Sequence, residues 1–216
     1  MEAQWRGLRL SSIGPREGLT MQVHSMVQDS TGYMYFGGSQ GLVRYDGSTL
    51  ESFTNIPGDS TTINPGEVYK MVNGKDNNIW LTLRYSGLDQ FNPKTQKFKH
   101  FQLPRKQQKM EYGCHGLLED DVGDIWAGGQ HARIFRVNRE KDSLEMYFPD
   151  WIDQDKITRR YLISTIIQDR SDRDVFWLSV IDYVDTTPNQ VIPGGYGLMS
   201  FHRKTKKFAS FPNAGK

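Results

Sequence analysis

Cys114 and His115 stand side by side, the pairing from which a thiolate nucleophile could be made. On a strand, neighbouring side chains point to opposite faces, so these two cannot readily share a proton, and a buried structural cysteine accounts better for Cys114. Glu119, Asp120, Asp121 and Asp124 invite a calcium ion. They lack the alternating oxygen ligands and closing Glu of a calcium loop, and they coincide with a recurring turn. His24, His100, His115, His131 and His202 show no zinc spacing such as His-x-x-x-His. Gly37-Gly38 and Gly128-Gly129 read as strand-end bends in crowded repeats rather than phosphate cradles. No Gly-x-Ser-x-Gly elbow occurs. Carboxylates that act across space leave no mark in spacing, so they stay open at this point. The expectation is a non-catalytic chain with no metal and no cofactor.

Recognition chemistry is better represented. Arg84, Tyr85, His131, Arg133, Asp182, Tyr183, Asn189 and Tyr196 lie in irregular segments between apolar runs. Aromatic faces suit stacking on a sugar ring, and Arg and Asp supply charge-assisted hydrogen bonds to hydroxyl or acidic groups. The expected partner is a small molecule or an oligosaccharide. The competing account is that they are solvated loop residues or contacts to a neighbouring copy of a repeat.

Composition narrows the field. The chain has 216 residues with 27 basic against 25 acidic side chains, which argues against a dedicated nucleic-acid binder. The basic run His202-Arg203-Lys204-Thr205-Lys206-Lys207 falls where a hairpin is expected, and alternating charge is ordinary there. With one cysteine there is no internal disulfide, and no apolar run approaches the ~18 residues that span a bilayer. The opening residues lack a signal peptide's apolar stretch. Glycine at 21 residues and aromatics at 12% point to many turns between short strands.

Three markers recur in fixed order. An aromatic follows a short polar turn at Tyr35, Trp80, Trp126 and Trp177, spaced 45, 46 and 51 residues apart. A Gly-Leu pair follows at Gly41-Leu42, Gly87-Leu88 and Gly197-Leu198, with Ala132-Arg133 in its place in the third copy. Each unit closes on a pattern such as Leu50-Glu51-Ser52-Phe53 or Phe98-Lys99-His100-Phe101. The first unit parses as strands at about Val23–Gln28, Tyr33–Gly37, Gly41–Tyr45 and Leu50–Thr54. Four antiparallel strands every ~45 residues make a propeller blade. The run Tyr161–Ile167 is apolar enough for a helix, but it is β-branched and in register with Val23–Val27, so it reads as a first strand. The expected fold is an all-β propeller of four blades with four antiparallel strands each, an incomplete ring or part of a larger, about seven-bladed one. Residues 1–22 form a lead-in, with a strand at Trp5–Ile13. The blades cover 23–55, 56–103, 104–150 and 151–213. The loops between second and third strands share one face with the inter-blade connections. In the fourth unit this loop is about 13 residues longer, from Ile181 to Gly195, at small entropic cost. Irregular loops on a rigid scaffold are where recognition residues gather.

Residues 23–47, with Val23-x-x-Met26-Val27-Gln28-Asp29, Gly32-Tyr33-x-Tyr35-Phe36-Gly37-Gly38 and Gly41-Leu42-x-Arg44-Tyr45-Asp46-Gly47, resemble the two-component regulator propeller repeat. Gly18-Leu19-Thr20 is similar to that family's lead-in, and Pro57-Gly58-Asp59-Ser60 to its inter-blade linker. The resemblance runs from about residue 5 to 213 and is loosest in the third and fourth units. It implies a periplasmic sensor region of a hybrid histidine kinase, binding a glycan or other nutrient and passing a conformational signal. The implied partners are the remaining blades and a downstream kinase region, with a homodimer as a further expectation. A propeller scaffold of a cell-surface or secretion system, and a glycan-cleaving propeller using carboxylates placed across the ring, are the competing readings.

Overall fold

The computed structural model describes residues 12–102, 113–151, 160–183 and 197–211. The first sheet holds β1 (Val23–Gln28), β2 (Met34–Gly38), β3 (Gly41–Tyr45) and β4 (Leu50–Phe53). The second holds β5 (Val68–Asn73), β6 (Ile79–Leu83), β7 (Gly87–Asn92) and β8 (Lys97–Phe101). The third holds β9 (Cys114–Glu119), β10 (Ile125–Gly129), β11 (Ile134–Asn138) and β12 (Ser143–Tyr147). The fourth holds β13 (Arg160–Gln168), β14 (Val175–Tyr183), β15 (Gly197–His202) and β16 (Lys207–Phe211). Every sheet runs in chain order with antiparallel pairing throughout. The expected blades are therefore present, and Tyr161–Ile167 lies in a strand as its β-branched composition requires. The only helical turn among the described residues is a 3₁₀ turn at Pro15–Glu17. Most of the expected strand at Trp5–Ile13 lies outside the described residues.

First strands pack on first strands: β5 lies against β1, β9 against β5 and β13 against β9. Apolar side chains fill the gaps between successive sheets. Tyr35 and Leu42 of the first blade share a cluster with Val68, Met71 and Leu81 of the second. Trp80 and Phe101 meet Cys114, Ile125 and Phe135, and Trp126 meets Ile163, Phe176 and Phe201. Among the described residues no core cluster joins the fourth blade to the first. Ile167, Leu198 and Phe211 on the fourth blade are 59%, 42% and 42% exposed, whereas Leu42, at the position of Leu198 in the first blade, is fully buried.

The close approach has a sequence basis. A Cβ added at Gly37 would sit 2.5 Å from Val68 Cγ1, and one at Gly128 would run into Ile163. The neighbouring inner strand occupies that space, which confirms the strand-crowding reading of both glycine pairs.

The recurring aromatic is fixed by a carboxylate one turn earlier. Asp29, Asp120 and Asp169 each close the turn after an inner strand by accepting backbone N–H groups. The other oxygen takes the aromatic: Tyr35 Oη donates to Asp29 at 3.2 Å, Trp126 Nε1 to Asp120 at 3.0 Å and Trp177 Nε1 to Asp169 at 2.6 Å. Burial and the Asp29 carboxylate push the Tyr35 phenol up to about 12. The second blade has Gly74 at this place, and among the described residues the buried Trp80 Nε1 has no hydrogen-bond partner.

Polar latches tie consecutive turns together. Asn73 Nδ2 donates to Gln28 O at 2.6 Å, Lys75 N donates to Glu119 Oε1 at 2.9 Å, and Gln168 exchanges two bonds with Asp121. The last residue of an inner strand thus reaches the preceding blade's turn. Arg203 adds bonds to Asp120, Asp121 and Asp174 at 2.6–2.9 Å. Asp120→Ala strips Trp126 of its acceptor and Arg203 of one of its three, and its expected cost is about 3 kcal/mol. Urea unfolding checks this, with the midpoint falling at unchanged slope; Asp59→Ala in the exposed linker is expected to leave the midpoint almost unmoved.

Candidate ligand site at the loop face

Two hairpin loops and one linker meet where the first two blades adjoin. Ser39, Gln40 and Gly41 come from the β2–β3 loop, Asn64 to Glu67 from the linker, and Arg84 and Tyr85 from the β6–β7 loop; together they line one groove. The expected shared face therefore exists. Arg84 N bonds to Glu67 O at 3.0 Å, Arg84 Nη1 bonds to Glu67 Oε1 at 3.1 Å, and the guanidinium lies 5.0 Å from the centre of the Tyr85 ring. Tyr85 is 58% exposed. Arg84 and Tyr85 thus present an aromatic face and a cation side by side, held at the backbone by the linker.

The linker is itself anchored. Asp89, fully buried on β7, accepts from Asn64 N and Asn64 Nδ2 at 2.8 Å each and from His100 Nδ1 at 2.8 Å. His100 Nε2 reaches Ser60 O at 3.0 Å. The Ser60 carbonyl can only accept, so His100 Nε2 carries a proton; below the raised His100 pKa Nδ1 carries one as well and donates to Asp89, whose own pKa burial pushes up. The hydrogen bond to Asp89 pushes the His100 pKa up.

A second feature recurs in every blade. Pairing of the inner strand with its neighbour slips by one residue at His24, Tyr69, His115 and Ser164. Such bulges re-aim a side chain and are over-represented beside functional sites. Here they bring three rings into a ladder where the inner strands converge. His24 and Tyr69 stack at 5.5 Å and Tyr69 and His115 at 4.1 Å, each pair inclined by 23°. His24 Nδ1 also donates to Val68 O at 3.2 Å, and Met71 N donates to Ser25 Oγ at 3.1 Å. His115 is turned away from Cys114, whose thiol is buried and held well above the usual thiol range by that burial. Burial, then the nearby Arg84 charge, push the His115 pKa down to about 4, so the ring is neutral at pH 7.

The remaining candidates lie further along the same face. His131 and Ala132 both adopt positive φ, at 59° and 54°, in a tight hairpin closed by Arg133 N to Gln130 O at 3.3 Å. This geometry normally selects Asn-Gly. Two left-handed residues thus replace the glycine of the other units, and the turn is strained. Ala132 N bonds to Tyr161 O of the fourth blade at 3.2 Å. Arg133 is 1% exposed, so its guanidinium is covered and a ligand would meet His131 first. Asp182 and Tyr183 end β14, but their side chains, like all of Asn189 and Tyr196, lie outside what is described. The structure therefore brings Arg84 and Tyr85 into one groove, and puts His131 and Arg133 on the turn of the next blade. Sequence reasoning missed His24, Tyr69 and His115 as a group. Their only trace was a ring at the second position of three successive first strands.

No family model matches the chain, and no curated protein does. Solved structures do. The fold is that of a β-propeller. The extracellular domain of the putative hybrid two-component system BT3049 from B. thetaiotaomicron matches 95% of this chain at TM-score 0.71 and 16% identity. The extracellular domain of the putative hybrid two-component system BT4673 from that organism matches 88% at TM-score 0.62 and 16% identity. This chain spans 26% and 25% of those two. An inactive variant of virginiamycin B lyase from Staphylococcus aureus matches 91% at TM-score 0.55 and 12% identity, over 71% of its own length. No helix among the described residues is long and apolar enough to cross a membrane.

The Asp89–His100 clamp makes the groove wall pH-dependent. Because the folded His100 pKa is raised, its stabilisation is complete below the ordinary value of ~6.5 and is lost as pH rises through the folded value. Imidazole shifts should report a titration above ~6.5. Over the same range the exchange protection of the Asn64 amide, corrected for intrinsic rate, should fall in the native chain and stay flat in His100→Gln.

Proposed function

We propose that this chain is a ligand-sensing propeller module of an extracytoplasmic two-component receptor, recognising a glycan or other nutrient and passing on a conformational signal. The observation that carries the reading is the Arg84–Tyr85 pair in the groove between the first two blades, an exposed ring beside a cation on a clamped backbone. The likeness to extracellular domains of putative two-component systems supports the same reading through the fold. A ligand seated there contacts two blades and their linker at once. It would favour whichever arrangement of blades it binds more tightly, by no more than its difference in affinity.

The groove also argues for binding rather than catalysis. Among the described residues that line it, Glu67 is the one carboxylate and is engaged by Arg84, where glycoside cleavage would need a paired acid and base. In the full receptor, Arg84→Ala combined with Tyr85→Ala is expected to shift the ligand dose response at least tenfold to higher concentration. An unchanged dose response would remove this face from consideration. Hydrolysis of a polysaccharide panel by the native chain, abolished by Glu67→Gln, would replace the sensor reading with an enzymatic one.

A further inference from the structure

The ring ladder lies beside the groove. A bulge interrupts the same position of all four inner strands, and three of the four re-aimed residues are half-buried rings. The fourth is Ser164, which supplies no ring at the next position after His115. Arg84 borders the ladder, because its carbonyl oxygen occupies the space a Cβ on Gly113 would take, and that same Cβ would lie 3.4 Å from His115 Nε2. One guanidinium nitrogen holds Glu67, which leaves other N–H groups of the fork for an anion.

We infer that the ladder is a binding platform on which a carboxylate-bearing sugar ring takes the fourth position, between His115 and Ser164, with its carboxylate at Arg84. The inference rests on the sensor reading and deepens it by naming the ligand as an acidic sugar. The apolar face of a pyranose ring packs on neutral imidazole as it does on other aromatic rings. The Arg84 guanidinium recognises a planar carboxylate through paired hydrogen bonds. The field of Arg84 already reaches both rings of the ladder's centre, since it is among the causes that lower the His115 pKa, and Tyr69 is the largest influence on Arg84 itself.

Calorimetric titration of the 216-residue chain with a galacturonic acid trimer and the neutral galactose trimer at fixed ionic strength tests this. The acidic trimer should bind at least tenfold tighter, and Arg84→Gln should reduce the preference to within twofold. Ser164→Tyr, which fills the fourth position while leaving every proposed contact residue in place, should abolish binding of the acidic trimer; Ser164→Ala should retain it. Equal affinity for both trimers, or binding unaffected by Ser164→Tyr, would each overturn the inference. Where binding survives Ser164→Tyr but is lost in Tyr85→Ala, the groove reading stands and the platform falls. Binding of neither trimer also overturns it, and the receptor dose response then decides the sensor reading separately.

Discussion

Four sheets can fan about one line only if their first strands come closer than ordinary side chains allow. The approach is made at Gly37 and Gly128, where the neighbouring inner strand fills the space a methyl group would need. Thr82 and Ser179 stand at the same position in the other two blades, so a small residue is kept there throughout. Close approach in turn makes each blade's outward apolar face the seat of the next. Tyr35, Trp80 and Trp126 are large enough to span that interface, and each is at most 1% exposed. Trp177 is only partly buried, because no further blade covers it among the described residues.

Polar chemistry sets the register within this apolar stack. A buried indole or phenol needs a partner, and the turn carboxylate supplies one while closing its own hairpin. The same turns carry the links from blade to blade, so a single residue such as Asp120 bears on hairpin, core and interface. Packing and hydrogen bonding therefore select one spacing between blades. The same packing holds the loops at the opposite end of the strands in fixed positions.

Much of the fold was legible because the punctuation repeats. The aromatic, the Gly-Leu pair and the closing pattern placed the strands to within about a residue in the first blade, and β-branching at Ile163, Thr165, Ile166 and Ile167 outweighed helical apolarity. The turn carboxylates were visible as residues but not as partners of the aromatics, since a hydrogen bond six to eight residues apart leaves no periodic trace. The bulges were hidden for a related reason. A strand that slips by one still alternates locally, and only the facing strand reveals that His24, Tyr69 and His115 point the same way. Loop position alone puts Arg84 and Tyr85 on the face where they line one groove. Arg133 stands in the same kind of loop, yet it is 1% exposed, and no local pattern encodes that burial.

The account stands on inner strands that converge, each aiming one bulged residue at a shared line. Through-space magnetisation transfer between assigned ring protons tests that most directly. Cross-peaks from Tyr69 to both His24 and His115, two residues 91 positions apart in the chain, are the predicted result. Assigned spectra of the folded chain in which Tyr69 contacts neither ring would contradict the convergence, and with it the placement of every loop argued from it.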